Sequence, residues 1–274
     1  MFTPYSFYSA MKKLNLDSDA NATIQQILSG AQAVLGDNLA GMYLEGSLAL
    51  GDFDPHRSDI DFVVVTTGEL STESIAALTS LHVRIAAGES KWATELEGSY
   101  IPQHALRRYN PACAHHPHIY HGTGPDESRL IVMQHDSDWV VHRHILREHG
   151  VVLTGPHPHT LIDPITPGDL RQAVFKFAHN WGSSLLREPQ YLQQDGYHAY
   201  IVVTLCRMLY TFEHGAIVSK PVAARWAQAA HGRWSPLIQR ALASDIHRAD
   251  MAAMLSFVRY TVEKGQPFAA PTSC

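Results

Sequence analysis

The stretch "EGSLALGDFDPHRSDIDFVVVT", Glu45 to Thr66, sets a Gly-Ser pair well ahead of an Asp-Ile-Asp that opens an apolar run. Residues i and i+2 of a strand share a face, so Asp59 and Asp61 project together while Ile60 and Phe62 turn toward a core. Two carboxylates that close repel each other unless a cation lies between them. Hard oxygen ligands of this kind suit Mg²⁺, which is usually held by one or two carboxylates together with substrate phosphates. The pattern therefore implies a metal and a nucleotide together. Gly46 lets the backbone approach a ligand closely and Ser47 adds a hydroxyl, so the turn after the first strand is expected to hold a terminal phosphate through backbone N–H groups.

Working outward, "LAGMYL" reads as the strand that runs into this turn and "DIDFVVVT" as the strand that leaves it. Before them, Ile24, Ile27, Leu28, Ala31, Val34 and Leu35 recur at helical spacing and stop at Gly36. After them, Ile75, Leu78, Leu81 and Ile85 predict a second helix, "WATELEGSYI" a third strand and "SRLIVM" a further one. "DWVVHRHILREHG" reads as a helix closed by Gly150, and "VVLTGP" as the last strand of this half.

Beyond the Pro- and Gly-rich "GPHPHTLIDPITPGD" strand patterns cease. Thr166, Pro167 and Asp169 form a helix N-terminal signature, and Tyr197 to Phe212 carry one apolar stripe that stops at Gly215. Three more helical segments follow. The expected fold class is α+β: a mixed sheet with helices over residues 1–160 and an all-α helical bundle over residues 161–274.

Composition narrows the partners. The 274 residues carry a formal net charge of -5, with no basic surplus for a nucleic-acid backbone. Three scattered cysteines without C-x-x-C spacing argue against a disulfide framework or a cysteine zinc site. No signal-like start and no spanning apolar run is seen, so a cytoplasmic monomer acting on small molecules, with no nucleic acid and no membrane as partner, is expected. The histidine-rich "CAHHPHIYHGTG" has no recognised zinc spacing and reads as a surface loop bordering the active cleft.

The order of strand, Gly46-Ser47, Gly51, polar turn, Ser58 and Asp59-x-Asp61 resembles the nucleotidyltransferase superfamily with the DNA polymerase beta-like fold. "VVTLCRMLYTFEHGAIVSKPVAARWA" resembles the C-terminal domain of the aminoglycoside adenylyltransferases that modify streptomycin and spectinomycin. The likeness extends from near residue 20 to near residue 260. It implies that ATP and Mg²⁺ bind between the domains and that AMP passes to a drug hydroxyl with release of pyrophosphate. On this resemblance Asp59 and Asp61 hold the metal, Gly46, Ser47 and Ser58 lie on the nucleotide, and Arg207 and Lys220 reach its phosphates. Glu97, in "LEGSYIP", matches the family's catalytic base, with Glu95 as the neighbouring acid on the same expected face.

For the cationic acceptor, Glu188 and Asp195 are the acidic candidates, and Tyr197 or His198 stand where family members place a further acid. The stretch from Pro111 to Arg129 lacks the tryptophan carried by members acting on streptomycin, which favours spectinomycin. Two other readings stay open: transfer to a different small-molecule or protein hydroxyl, and nucleotide binding without turnover.

Overall fold

The computed structural model describes residues 14, 16–120, 129–188 and 197–269. The chain divides into two compact units between Pro164 and Ile165, where the sequence pattern suggests 160 and 161.

The first unit is built on strands β1 (Leu39–Leu44), β2 (Ile60–Thr66), β3 (Leu96–Pro102), β4 (His115–Ile119), β5 (Ile131–Gln134) and β6 (Val151–Thr154). They form one sheet in the order β5-β4-β3-β2-β1-β6. β2 and β3 run parallel; the other neighbours are antiparallel. Ile60 and Phe62 to Val65 are all fully buried, so both faces of β2 are covered, as an uninterrupted Val-rich run requires.

Helices α1 (Ser18–Leu35) and α3 (Thr72–Ala86) pack together and join the core of β1, β2 and β3. Asp17 caps α1 by accepting from the Ala20 N–H at 2.7 Å, and Gly36, at φ +51°, ends it. The stripe Ile24, Ile27, Leu28 and Leu35 is buried. Truncating any of these large side chains to alanine would cost about 2–5 kcal/mol. Short helices α2 (Gly46–Ala49) and α4 (Gln103–Arg107) and the longer α5 (Trp139–His149) complete the unit.

The second unit holds α6 (Pro167–Arg187), α7 (Tyr197–His214), α8 (Lys220–Ala230), α9 (Ser235–Leu242) and α10 (Met251–Gly265). Thr166 and Asp169 form the capping box of α6. α7 packs against α6, α8, α9 and α10, which explains why Ile201, Val202, Leu205, Cys206 and Leu209 are all buried. No helix among the described residues is long and apolar enough to cross a membrane.

Three local expectations are corrected. The histidine-rich segment is not a surface loop: His115–Ile119 is a strand inside the sheet, with His116 and His118 buried, while His121 lies outside the described residues. Pro117 is tolerated there because the β3 register ends at Ser99↔His118, leaving Pro117 opposite only Val132 of β5. β3 begins at Leu96, not at Trp92; Lys91–Ala93 forms a 3₁₀ turn that buries Trp92 and leaves Glu95 exposed ahead of the strand. The Gly46-Ser47 pair opens the short helix α2 rather than an open turn.

Candidate active site

The site assembles where β1, β2 and β3 meet their connections. The Glu45 N–H donates to the Asp61 carbonyl at 3.0 Å, tying the end of β1 to the start of β2. Gly46 follows with φ +57°, and a Cβ built there would lie 1.7 Å from Asp61 Oδ2. Only glycine fits both the left-handed backbone and the space. The Ser47 Oγ is buried and has no hydrogen-bond partner among the described residues, so a hydroxyl is presented without protein company.

The segment that delivers Asp59 is held by its own side chains. Ser58 Oγ accepts from the Asp54 N–H at 3.0 Å, Asp54 Oδ1 accepts from the His56 N–H at 2.9 Å, and Lys91 Nζ donates to the Pro55 carbonyl at 2.7 Å. Ser58, a sequence candidate for nucleotide contact, thus has a turn-forming role. Asp59 immediately precedes β2 and Asp61 lies within it, directly opposite Glu97 in the parallel register. Gly98 permits that alignment: a Cβ there would sit 2.4 Å from the Phe62 ring.

One oxygen each from Asp59, Asp61 and Glu97 lies within 4.8 Å of the others, and all three side chains are half-buried. Three converging carboxylates are a hard, anionic donor set that suits Mg²⁺ and no soft metal. Among the described residues this is the only group of three such side chains close enough to share an ion; the histidines make none.

Sequence reasoning missed what lies behind the carboxylates. Glu45, 4% exposed, accepts from His142 Nδ1 at 3.1 Å. Burial pulls the His142 imidazole down, but the Glu45 charge and hydrogen bond, with Asp138 and Glu97 nearby, outweigh it and raise the ring to about 9. A carboxylate placed just ahead of Gly-Ser at the end of an apolar strand was the available signal. Ser99 Oγ meets His118 Nδ1 at 2.7 Å and His135 Nε2 at 3.0 Å, and Trp139 stacks on His135 at 3.5 Å. Burial pushes His116 and His118 down to about 4 and His135 further.

The remaining candidates belong to the second unit. Arg207 is half-buried on α7. Lys220 opens α8, with Nζ 4.2 Å from the centre of the Tyr200 ring. A cation at the positive end of a helix dipole opposes the usual preference for acids there, and the first turn of α8 holds no acid. Glu188 is exposed just after α6, Tyr197 stacks on Tyr200 at 5.3 Å, and His198 is 4% exposed. Asp195 lies outside the described residues.

Residues 28–101 match the nucleotidyltransferase domain family. With Asp59, Asp61 and Glu97 gathered on a mixed sheet and Asp61 against Gly46, that makes the chain a nucleotidyltransferase enzyme. Residues 160–262 match the family described as aminoglycoside adenylyltransferase, C-terminal domain. The chain belongs to the nucleotidyltransferase family, and its C-terminal part is similar to that of aminoglycoside adenylyltransferases. It is 25% identical over 86% of its length to an "Aminoglycoside (3'') (9) adenylyltransferase" of Shigella flexneri, covering 89% of that protein. It is likewise 25% identical over 74% of its length to a "Spectinomycin 9-adenylyltransferase" of Campylobacter jejuni, covering 76% of that protein. Its fold is shared with a solved spectinomycin adenyltransferase, AAD(9), from Enterococcus faecialis, determined with ATP and spectinomycin. The TM-score is 0.70 at 18% identity, over 89% of this chain and 98% of the other.

Proposed function

We propose that this protein transfers AMP from ATP to a hydroxyl of an aminoglycoside-type antibiotic, spectinomycin before streptomycin, and so confers resistance. The observation that carries the reading is the convergence of Asp59, Asp61 and Glu97 beside a glycine that nothing larger could replace. Spectinomycin is favoured because the stretch from Pro111 to Arg129 holds no tryptophan and because one relative is named for that drug.

Asp59 and Asp61 would hold Mg²⁺, which when bound supplies charge neutralisation for the triphosphate and the departing pyrophosphate. Gly46 and the Ser47 hydroxyl border the phosphates. Glu97 takes the proton of the drug hydroxyl as its oxygen bonds to the α-phosphorus and the bond from that phosphorus to pyrophosphate breaks. Arg207 and Lys220 offer a guanidinium fork and a point charge to the polyphosphate, which accounts for a lysine at the positive end of α8. Glu188, Asp195, Tyr197 and His198 are assigned to the cationic acceptor. The reading makes the protein a cytoplasmic monomer.

The test is pyrophosphate release from ATP and Mg²⁺ with spectinomycin, with streptomycin and with no acceptor, using Asp59→Asn as the blank. Release with spectinomycin that vanishes in the variant supports the reading. Silence with both drugs despite measurable ATP binding moves the acceptor outside this antibiotic class.

A further inference from the structure

Behind Glu97 a line of buried polar atoms runs into the sheet. Ser99, His118 and His135 are all buried, and Ser99 Oγ touches a ring nitrogen of each histidine. The other nitrogen of His118, Nε2, makes no hydrogen bond among the described residues and lies 3.9 Å from Glu97 Oε1. The other nitrogen of His135, Nδ1, is buried and also without a partner among the described residues.

A hydroxyl has one proton, so Ser99 donates to one ring and accepts from the other. In one direction His135 Nε2–H donates to Ser99 Oγ, the Ser99 O–H donates to His118 Nδ1, and the His118 proton sits on Nε2, facing the carboxylate. In the reverse direction His118 turns a lone pair toward an anion, and His135 buries an N–H on Nδ1 with nothing to accept it. Each direction leaves one buried ring N–H without a hydrogen bond, but the first aims it at the Glu97 carboxylate whereas the second sets a lone pair against that anion. The first direction wins. Both rings are held neutral by burial, so one tautomer is fixed along the chain.

We propose that His118 is a positioning residue for Glu97: its Nε2–H, set by Ser99 and His135, closes onto one oxygen of the carboxylate and leaves the other to meet the acceptor hydroxyl. The distance must shorten by about 1 Å, the kind of tightening that accompanies substrate binding. The inference rests on Glu97 acting as base.

Long-range nitrogen–proton NMR on the full-length, ¹⁵N-histidine-labelled protein reads the tautomers without any activity. His118 and His135 should both carry the proton on Nε2, and the His118 Nε2 signal should move in Glu97→Gln. A proton on His118 Nδ1, or a His118 signal indifferent to Glu97→Gln, overturns the proposal. In AMP transfer, Ser99→Ala and His118→Leu should lower kcat by about 10- to 100-fold with KM for ATP unchanged. His118→Gln, whose amide N–H replaces Nε2–H, should recover most of kcat. Equal losses in His118→Gln and His118→Leu, or no loss in either, would also overturn it. If His118→Leu fails to fold, Ser99→Ala and His118→Gln decide. Absence of AMP transfer by the parent protein sinks the proposed function, and the tautomer measurement then stands alone.

Discussion

Within three residues β3 passes from one kind of polar chemistry to another. Glu97 is 30% exposed at the rim, opposite Asp61, whereas Ser99 is fully buried against His118 and His135. An imidazole enters the interior by giving up its proton, which burial enforces here. A carboxylate buried in the same way with no cation beside it would gain one and lose its use as a metal ligand, the direction in which burial moves Asp138; Glu45, buried against His142, has that cation. The carboxylates therefore gather where water or a cation reaches them, and the neutral hydrogen-bond chain lies inward.

The largest effect tests the rim. Glu97→Gln should cut turnover by about 10²- to 10⁴-fold while nucleotide binding by calorimetry persists and the melting temperature does not fall, since a like-charge neighbour has been removed. Near-normal turnover would take Glu97 out of the base role; a large drop in melting temperature would erase the contrast between rim and interior. Next, Gly46→Ala forces Asp61 aside, because the added Cβ would sit 1.7 Å from its Oδ2. Displacement of about 1 Å at such a site costs about 10²-fold in rate, so kcat/KM should fall by that order with the fold kept, as circular dichroism would report.

The interior answers to pH. Burial depresses His82, His116 and His118 to about 4, so the stability they support is complete above about 6.5 and is lost as pH falls through that window toward about 4. His142 has the opposite sign: raised to about 9, its contribution is complete below about 6.5 and is lost as pH rises through about 9. Urea midpoints should therefore be highest near neutrality and lower at both pH 5 and pH 9.5. A midpoint that climbs steadily toward acid would contradict the neutral histidine interior. The smallest effect is His82→Leu, which removes the 2.8 Å partner of the buried Tyr100 hydroxyl; the expected loss is about 1–3 kcal/mol, and the double variant with Tyr100→Phe should recover part of it.

Much of this was legible in the amino-acid order. The β1 segment "LAGMYL" matches its strand residue for residue and the Thr166 cap stands where its side chain suggests, whereas the pairing of Asp61 with Glu97 comes from the register of the folded sheet. The histidine-rich strand was not legible, because imidazole scores as polar and Pro117 argues against pairing, although burial makes the rings neutral core groups. Their alternation at 116 and 118 was the period-two signal. Glu45 and His142 escaped for another reason: a separation of 97 positions hides a contact that only the folded sheet creates.

The parallel pairing of β2 with β3 has a consequence for how the protein reaches its native state. Seven residue pairs, from Ile60↔Leu96 to Thr66↔Pro102, fix the register that puts Asp61 beside Glu97. A slip of one residue would turn Glu97 to the opposite face and scatter the cluster. Because these strands are joined across α3, their pairing is a non-local and therefore slow event, later than helix formation. In refolding, helical signal should return well before enzymatic competence, and a chain trapped out of register would be folded in outline and inert.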